Sequence, residues 1–161
     1  MQSANGSLVE KLNFVGGVAP VVIATAGKDS DIISLRNCEH ITALIIVGAL
    51  GSASYCRVTP YQGASISTCA TAFTPQNYWL AAGGAETDDA WVKTAWGANA
   101  YVDLDAANDM MILEVDASEL TSGQWSFKIN CDSDDNTGPT VSVIFIGTYL
   151  RFSSPPVSQL A

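Results

Sequence analysis

Apolar and polar residues alternate with a period of two along much of this chain, and no segment sustains a helical period. In QWSFKINC, Trp125, Phe127, Ile129 and Cys131 fall on one side while Gln124, Ser126, Lys128 and Asn130 fall on the other. That is the pattern of a half-buried antiparallel strand. The next apolar stretch sets Val141, Val143 and Phe145 against Ser142, Ile144 and Ile146, so both of its faces are largely apolar, and residues 41–47 read the same way. Further strands are predicted near residues 20–25, 32–35, 53–59, 65–73, 77–81, 90–95, 100–104 and 110–115. Turn formers separate them: the run from Gly27 to Ser30, the break from Asn37 to Glu39, Pro60, Gly63, Pro75, and Gly83-Gly84 ahead of the acidic loop 86–89. Asp116-Ala117-Ser118-Glu119 is the best helical fragment, a single turn with Asp116 as cap and Glu119 reaching back.

About eight to ten short strands drawn from these candidate segments, with regular turn signals, predict an all-β fold, an antiparallel β-sandwich of jelly-roll-like type. The sandwich is expected over residues 19–152. Residues 1–18 are expected to form an extended N-terminal arm, and residues 153–161, with Pro155-Pro156, an extended C-terminal tail.

At 161 residues the chain suits one domain able to bury roughly 70% of its unfolded surface, so it needs no metal or disulfide staple. Hydrophobic residues make up 48% and charged residues 14%, against about 25% charged in a typical soluble domain. Together with a mean hydropathy of +0.21, this implies that partners bury part of the surface. The apolar runs are far shorter than the roughly 20 residues of a membrane-spanning helix, so no membrane partner is expected. The start, MQSANGSLVEKLNF, has no cationic, apolar and cleavable order and does not read as a signal peptide.

The net charge is −9, with 7 basic residues scattered singly against 16 acidic ones. A nucleic-acid binder needs a basic stripe, so no nucleic-acid partner is expected. Cys38, Cys56, Cys69 and Cys131 are widely spaced with no C-x-x-C pair, unlike zinc ligands. Without an export signal they are expected to be free buried thiols.

Catalytic chemistry has little to build on. His40 is the sole histidine, a nucleophile triad would depend on it, and no G-x-S-x-G elbow is present. The chain is expected to be no enzyme, without cofactor or resident metal. The run Asp132, Ser133, Asp134, Asp135, Asn136 has calcium-type oxygen ligands but lacks the glycine and glutamate of an EF-hand loop, and a hairpin loop rich in turn formers explains it without a metal, calcium being the lesser alternative. Trp79, Trp91 and Trp96 are large core or interface residues by default, and alternatively a sugar-stacking platform of a carbohydrate-binding module.

Two segments carry a resemblance. In DIISLRNCEHITALIIVGAL, the residues Ser34-Leu35-Arg36-Asn37, His40-Ile41-Thr42 and Gly48 resemble a pattern of small accessory proteins of tailed phages. The closing VDASEL…GQWSFKIN…VIFIGTYLRF resembles the end of the same group, while the stretch 61–98 matches nothing in it. The resemblance implies a capsid cement or decoration protein: a virion component on the capsid exterior, assembled in the host cytoplasm, homotrimeric, and bound to the major capsid protein. It transfers no catalytic residues. The expected capsid or subunit contacts are Leu8, Leu12, Phe14, Ile41, Ile144, Ile146, Val157 and Leu160, drawn from the arms and from the doubly apolar strands.

Overall fold

Why do the alternating segments form two layers? Each offers one apolar face, and two such faces close on each other. The computed structural model describes residues 13–36, 38–81 and 90–150. Its strands are β1 (Asn13–Val22), β2 (Lys28–Asp29), β3 (Ile33–Ser34), β4 (Cys38–Val47), β5 (Cys56–Gly63), β6 (Thr71–Ala72), β7 (Asn77–Ala81), β8 (Val92–Ala95), β9 (Val102–Leu104), β10 (Met110–Asp116), β11 (Ser126–Ser133) and β12 (Thr140–Leu150). The fold is an all-β sandwich of two antiparallel sheets. The front sheet runs β1-β12-β4-β10-β7-β8; the back sheet runs β2-β11-β5-β6, with β3 also on β11 and β9 also on β5. Ala117–Glu119 is a single 3₁₀ turn, and the Asp116 backbone N–H donates to Glu119 Oε2 at 3.1 Å, as the sequence suggested.

The core lies between the sheets. Ile41, Ala43, Ile45 and Val47 of β4, Met111, Leu113 and Val115 of β10, and Val141, Val143 and Phe145 of β12 point inward from the front. Val58 of β5, Leu104 of β9, and Phe127 and Ile129 of β11 meet them from the back. Phe127 stacks edge-on against Phe73 and against Phe145, with ring centroids 6.0 Å apart in both pairs.

The first strand corrects the expected arm boundary. β1 begins at Asn13, which pairs with Gly147, and Phe14 pairs with Ile146, so residues 13–18 belong to the sandwich. The strand carries Gly16-Gly17 and needs them. A Cβ on Gly17 would strike the Val143 carbonyl, and the register slips between Phe14 and Gly16 and again between Val18 and Val21. Residues 1–12 and 151–161, hence most of the expected arm and tail, lie outside the described residues.

Two other boundaries moved. Lys28 and Asp29, expected in a turn, pair with Cys131 and Asn130. β5 runs through Pro60, which read as a stop. The Pro60 carbonyl accepts the Phe73 N–H at 3.0 Å on the side where β9 ends at Val58 and β6 starts at Tyr61. A strand residue sends its N–H and C=O the same way, so the missing N–H falls in the gap between those two short partners.

All four cysteines are buried free thiols. Burial raises the Cys38 and Cys69 thiols above their ordinary values, and contact with the Cys56 thiol together with burial raises Cys131 further. Thiolate is the reactive form, so native protein is expected to react only slowly with a thiol reagent and denatured protein to yield all four equivalents. Rapid titration of the native state would show these sites to be open.

Candidate functional site

The two outer faces of the sandwich differ in kind. On the front sheet the outward positions line up across the strands: Ile144 opposes Leu44, Leu44 opposes Ile112, and Ile112 opposes Trp79. The adjoining rows add Ile46 beside Met110, and Ile146 beside Phe14. None of these side chains is buried; Phe14 is 46% and Ile46 36% exposed. The parity that sends Ile41 and Ile45 into the core must send Leu44 and Ile46 outward. The result is a contiguous apolar band on the outside of the front sheet.

The back sheet's outer face is polar and internally paired. Arg57 makes a two-pronged ion pair with Asp103, at 2.8 and 3.0 Å, and its guanidinium lies 3.8 Å from the Tyr101 ring centre and 4.7 Å from that of Tyr55. The Asp103 contact keeps Arg57 protonated well beyond its ordinary range. Lys128 bonds Asp29 at 2.6 Å and sits over Tyr61, and Asn130 donates to the same carboxylate at 2.8 Å. Burial would raise the Asp29 carboxyl, but these donors outweigh it and hold it below its ordinary value.

One end of the apolar band opens into a polar cavity of about 200 Å³. Its walls come from β4 (His40), β7 (Asn77, Trp79), β8 (Lys93), β10 (Glu114, Asp116) and the turn after it (Glu119), with Gln76 at the rim. His40 Nδ1 lies 2.9 Å from Asp116 Oδ1, and its Nε2 lies 3.4 Å from Thr42 Oγ1 and 3.8 Å from Glu114 Oε1. Lys93 Nζ stands 5.6 Å from the centre of the Trp79 ring. Thr42, His40 and Asp116 follow the order of nucleophile, base and orienting acid. The Thr42–His40 contact is at the outer limit of a hydrogen bond. Thr42 is also paired on both sides, to Glu114 and Ile146, which places no pair of free backbone N–H donors beside its hydroxyl for an oxyanion. The cavity is therefore better suited to holding a polar group than to acyl transfer.

The acidic loop is braced by its neighbours. Asp134 accepts the Ser54 N–H at 2.8 Å, and Asp135 accepts the Thr137 N–H at 2.7 Å and the Ser52 hydroxyl at 3.1 Å. These bonds hold both carboxyls below their ordinary range. They account for the run Asp132 to Asn136 as two loops tied together, and among the described residues no group of three or more His, Cys, Asp or Glu is placed to share a metal ion.

The structure sorts the sequence-derived candidates. Phe14, Ile144 and Ile146 lie on the open front face. Ile41 does not: it is fully buried, because an odd position of β4 points inward, and it cannot serve as an external contact. Leu8, Leu12, Val157 and Leu160 lie outside the described residues. Trp96 is also withdrawn as a stacking platform, since it is 8% exposed, packs edge-on against Tyr78 and donates its indole N–H to the Asn99 carbonyl at 2.9 Å. Trp91 is 38% exposed beside β8, and Trp79 lines the cavity. Sequence reasoning missed Leu44, Ile46, Met110 and Ile112 as surface residues, although strand parity encodes them. It had no means of joining His40 to Asp116, 76 positions apart. Comparison with protein-family models, with curated proteins and with solved structures gives no match for this chain.

Proposed function

We propose that this chain is a non-enzymatic virion structural protein, a cement or decoration protein of a tailed-phage capsid, homotrimeric and bound to the major capsid protein on the outside of the particle. The observation that carries the reading is the contrast between the two outer faces: an open apolar band on the front sheet against a polar, self-paired back sheet. A protein that must occupy many identical sites needs contact area and symmetry rather than a reactive centre. The front face offers that area, and the back face suits solvent.

The wiring supports a jelly-roll reading. With β2 and β3 counted as one strand and the β6–β8 segment set aside, the eight remaining strands place first, eighth, third and sixth side by side in the front sheet (β1, β12, β4, β10). The back sheet then carries second, seventh, fourth and fifth (β2, β11, β5, β9). That is the nesting of two Greek keys. β7 and β8 form a hairpin added to the front sheet outside β10, within the very stretch that resembles nothing in the phage group.

Carbohydrate binding is the second reading, and Trp79 in its polar cavity is the observation in its favour. The burial of Trp96 takes away the three-tryptophan platform that first suggested it. Purified virions should contain the chain in many copies, and a three-dimensional reconstruction should locate it on the capsid exterior at three-fold positions. Its absence from particles, or a place inside them, would overturn the proposal.

A further inference from the structure

The apolar band leads into a pocket whose charges, among the described residues, do not balance. Glu114, Asp116 and Glu119 contribute three carboxylates, against the single ammonium of Lys93 and the imidazole of His40. The pocket is net negative in either protonation state of that ring. Glu114 and Asp116 occupy alternate positions of β10, so they leave the same face about 7 Å apart along the strand. Trp79 presents an aromatic wall beside them.

The back sheet shows what completes such a set. There, Asp103 and the Tyr101 ring hold Arg57, the carboxylate gripping the guanidinium in the plane of its fork and the ring covering its flat side. Arg36 covers Trp125 in the same manner, at 3.8 Å. The front pocket is lined by the same two kinds of group, carboxylates and an aromatic ring. Lys93, at 5.6 Å from the ring centre, is a distant substitute, and among the described residues it forms no ion pair with the pocket's carboxylates.

From this charge complementarity we infer that the pocket formed by Trp79, Glu114 and Asp116 receives an arginine side chain of the protein that docks on the front sheet, with apolar neighbours of that arginine lying on Leu44, Ile112 and Ile144. The inference rests on the front sheet being the docking face and names the chemistry of what docks there. A guanidinium suits this site better than an ammonium. Its rigid fork of donors spans two acceptors while its face stacks on an aromatic ring, whereas lysine offers a compact and strongly hydrated point charge. Fully desolvated arginines beside aromatic residues are also frequent energetic anchors of protein interfaces.

The test uses small probes on the intact chain, so that it does not depend on assembly. Nα-acetyl-arginine amide is titrated into protein labelled at its tryptophan indoles, and the Trp79 signal is followed by NMR. A saturable shift is expected with a dissociation constant on the order of 10 mM, as befits a single anchoring contact. Nα-acetyl-lysine amide is expected to bind several-fold more weakly, and Nα-acetyl-citrulline amide, which keeps the shape and loses the charge, to cause no shift. Glu114→Gln combined with Asp116→Asn should abolish the arginine response, with the fold checked by circular dichroism. Trp79→Phe, which leaves the carboxylates in place, should weaken binding by about threefold to tenfold, followed on the Glu114 and Asp116 backbone amides. An equal response to citrulline amide, or none to arginine amide, overturns the inference. A Trp79 shift with methyl glucoside but not with arginine amide would instead assign the pocket to sugar. In either case, loss of assembly on altering the apolar band would leave the docking face standing and remove only the arginine.

Discussion

Phe127→Ala is expected to lower the unfolding free energy by about 3–5 kcal/mol, the range for truncating a buried aromatic residue. For a domain of this size that is a drop of roughly 6–20 °C in midpoint temperature. Phe127 is completely buried near the start of β11, and its ring bridges the sandwich: Phe73 touches it on one side and Phe145, from the front sheet, on the other. Removing it empties the place where the two sheets meet, and a cavity lined by strands cannot collapse without shifting their ladders. Phe73→Ala should cost less, because Phe73 keeps some exposure and adjoins the two-residue strand β6. Thermal or denaturant unfolding measures both. A loss under about 1 kcal/mol for Phe127→Ala would mean that the sheets do not share one core, since even a partly relaxed cavity costs more.

The ring of Phe127 was placed inward by the sequence pattern alone, and the reasons some elements were legible and others not are physical. β11 and β12 declare themselves because each alternates cleanly, and β10 does so through Met111, Leu113 and Val115. β1 hides its identity because its glycines and Pro20 are turn formers by habit. The strand uses the glycines where a side chain would hit the Val143 carbonyl, and a close approach of that kind is set by the partner strand, which local sequence does not reveal. β2, β3 and β6 are two residues each, too short for any period to register. Ile41 shows the limit of reading a doubly apolar strand: the pattern reveals that both faces are apolar, but only the register with β10 and β12 decides which is covered. His40, Trp79, Lys93 and Asp116 stand on four separate strands, so their cavity exists only once the β7–β8 hairpin has joined β10. Composition did foretell a surface short of charge, and the outer face of the front sheet is one place where that deficit lies.

Ile46→Lys combined with Ile146→Lys is expected to convert the assembled protein to a folded monomer. The parent should scatter light as a particle of three times the 16.9 kDa chain, and the variant as one chain. Both residues project from the front face, Ile46 opposite Met110 and Ile146 opposite Phe14. Burying such a side chain in an interface contributes roughly 1.5–3 kcal/mol, and each change recurs at every symmetry-related contact. Lysine lets the fold survive, because its methylene stem lies along apolar neighbours while the ammonium stays in water. It opposes docking for the same reason, since a contact over the band would strand that charge away from solvent. Circular dichroism and the unfolding midpoint separate loss of assembly from loss of structure. As a matched control, Lys128→Ala on the back sheet removes a cation from the solvent side and should leave the oligomer intact. A parent that stays monomeric at high micromolar concentration would refute trimerisation, because mass action favours assembly there. A double variant that remains trimeric would move the subunit contact off the front sheet, and the apolar band would then have to face the capsid alone, with the variant's occupancy on virions as the measure that decides.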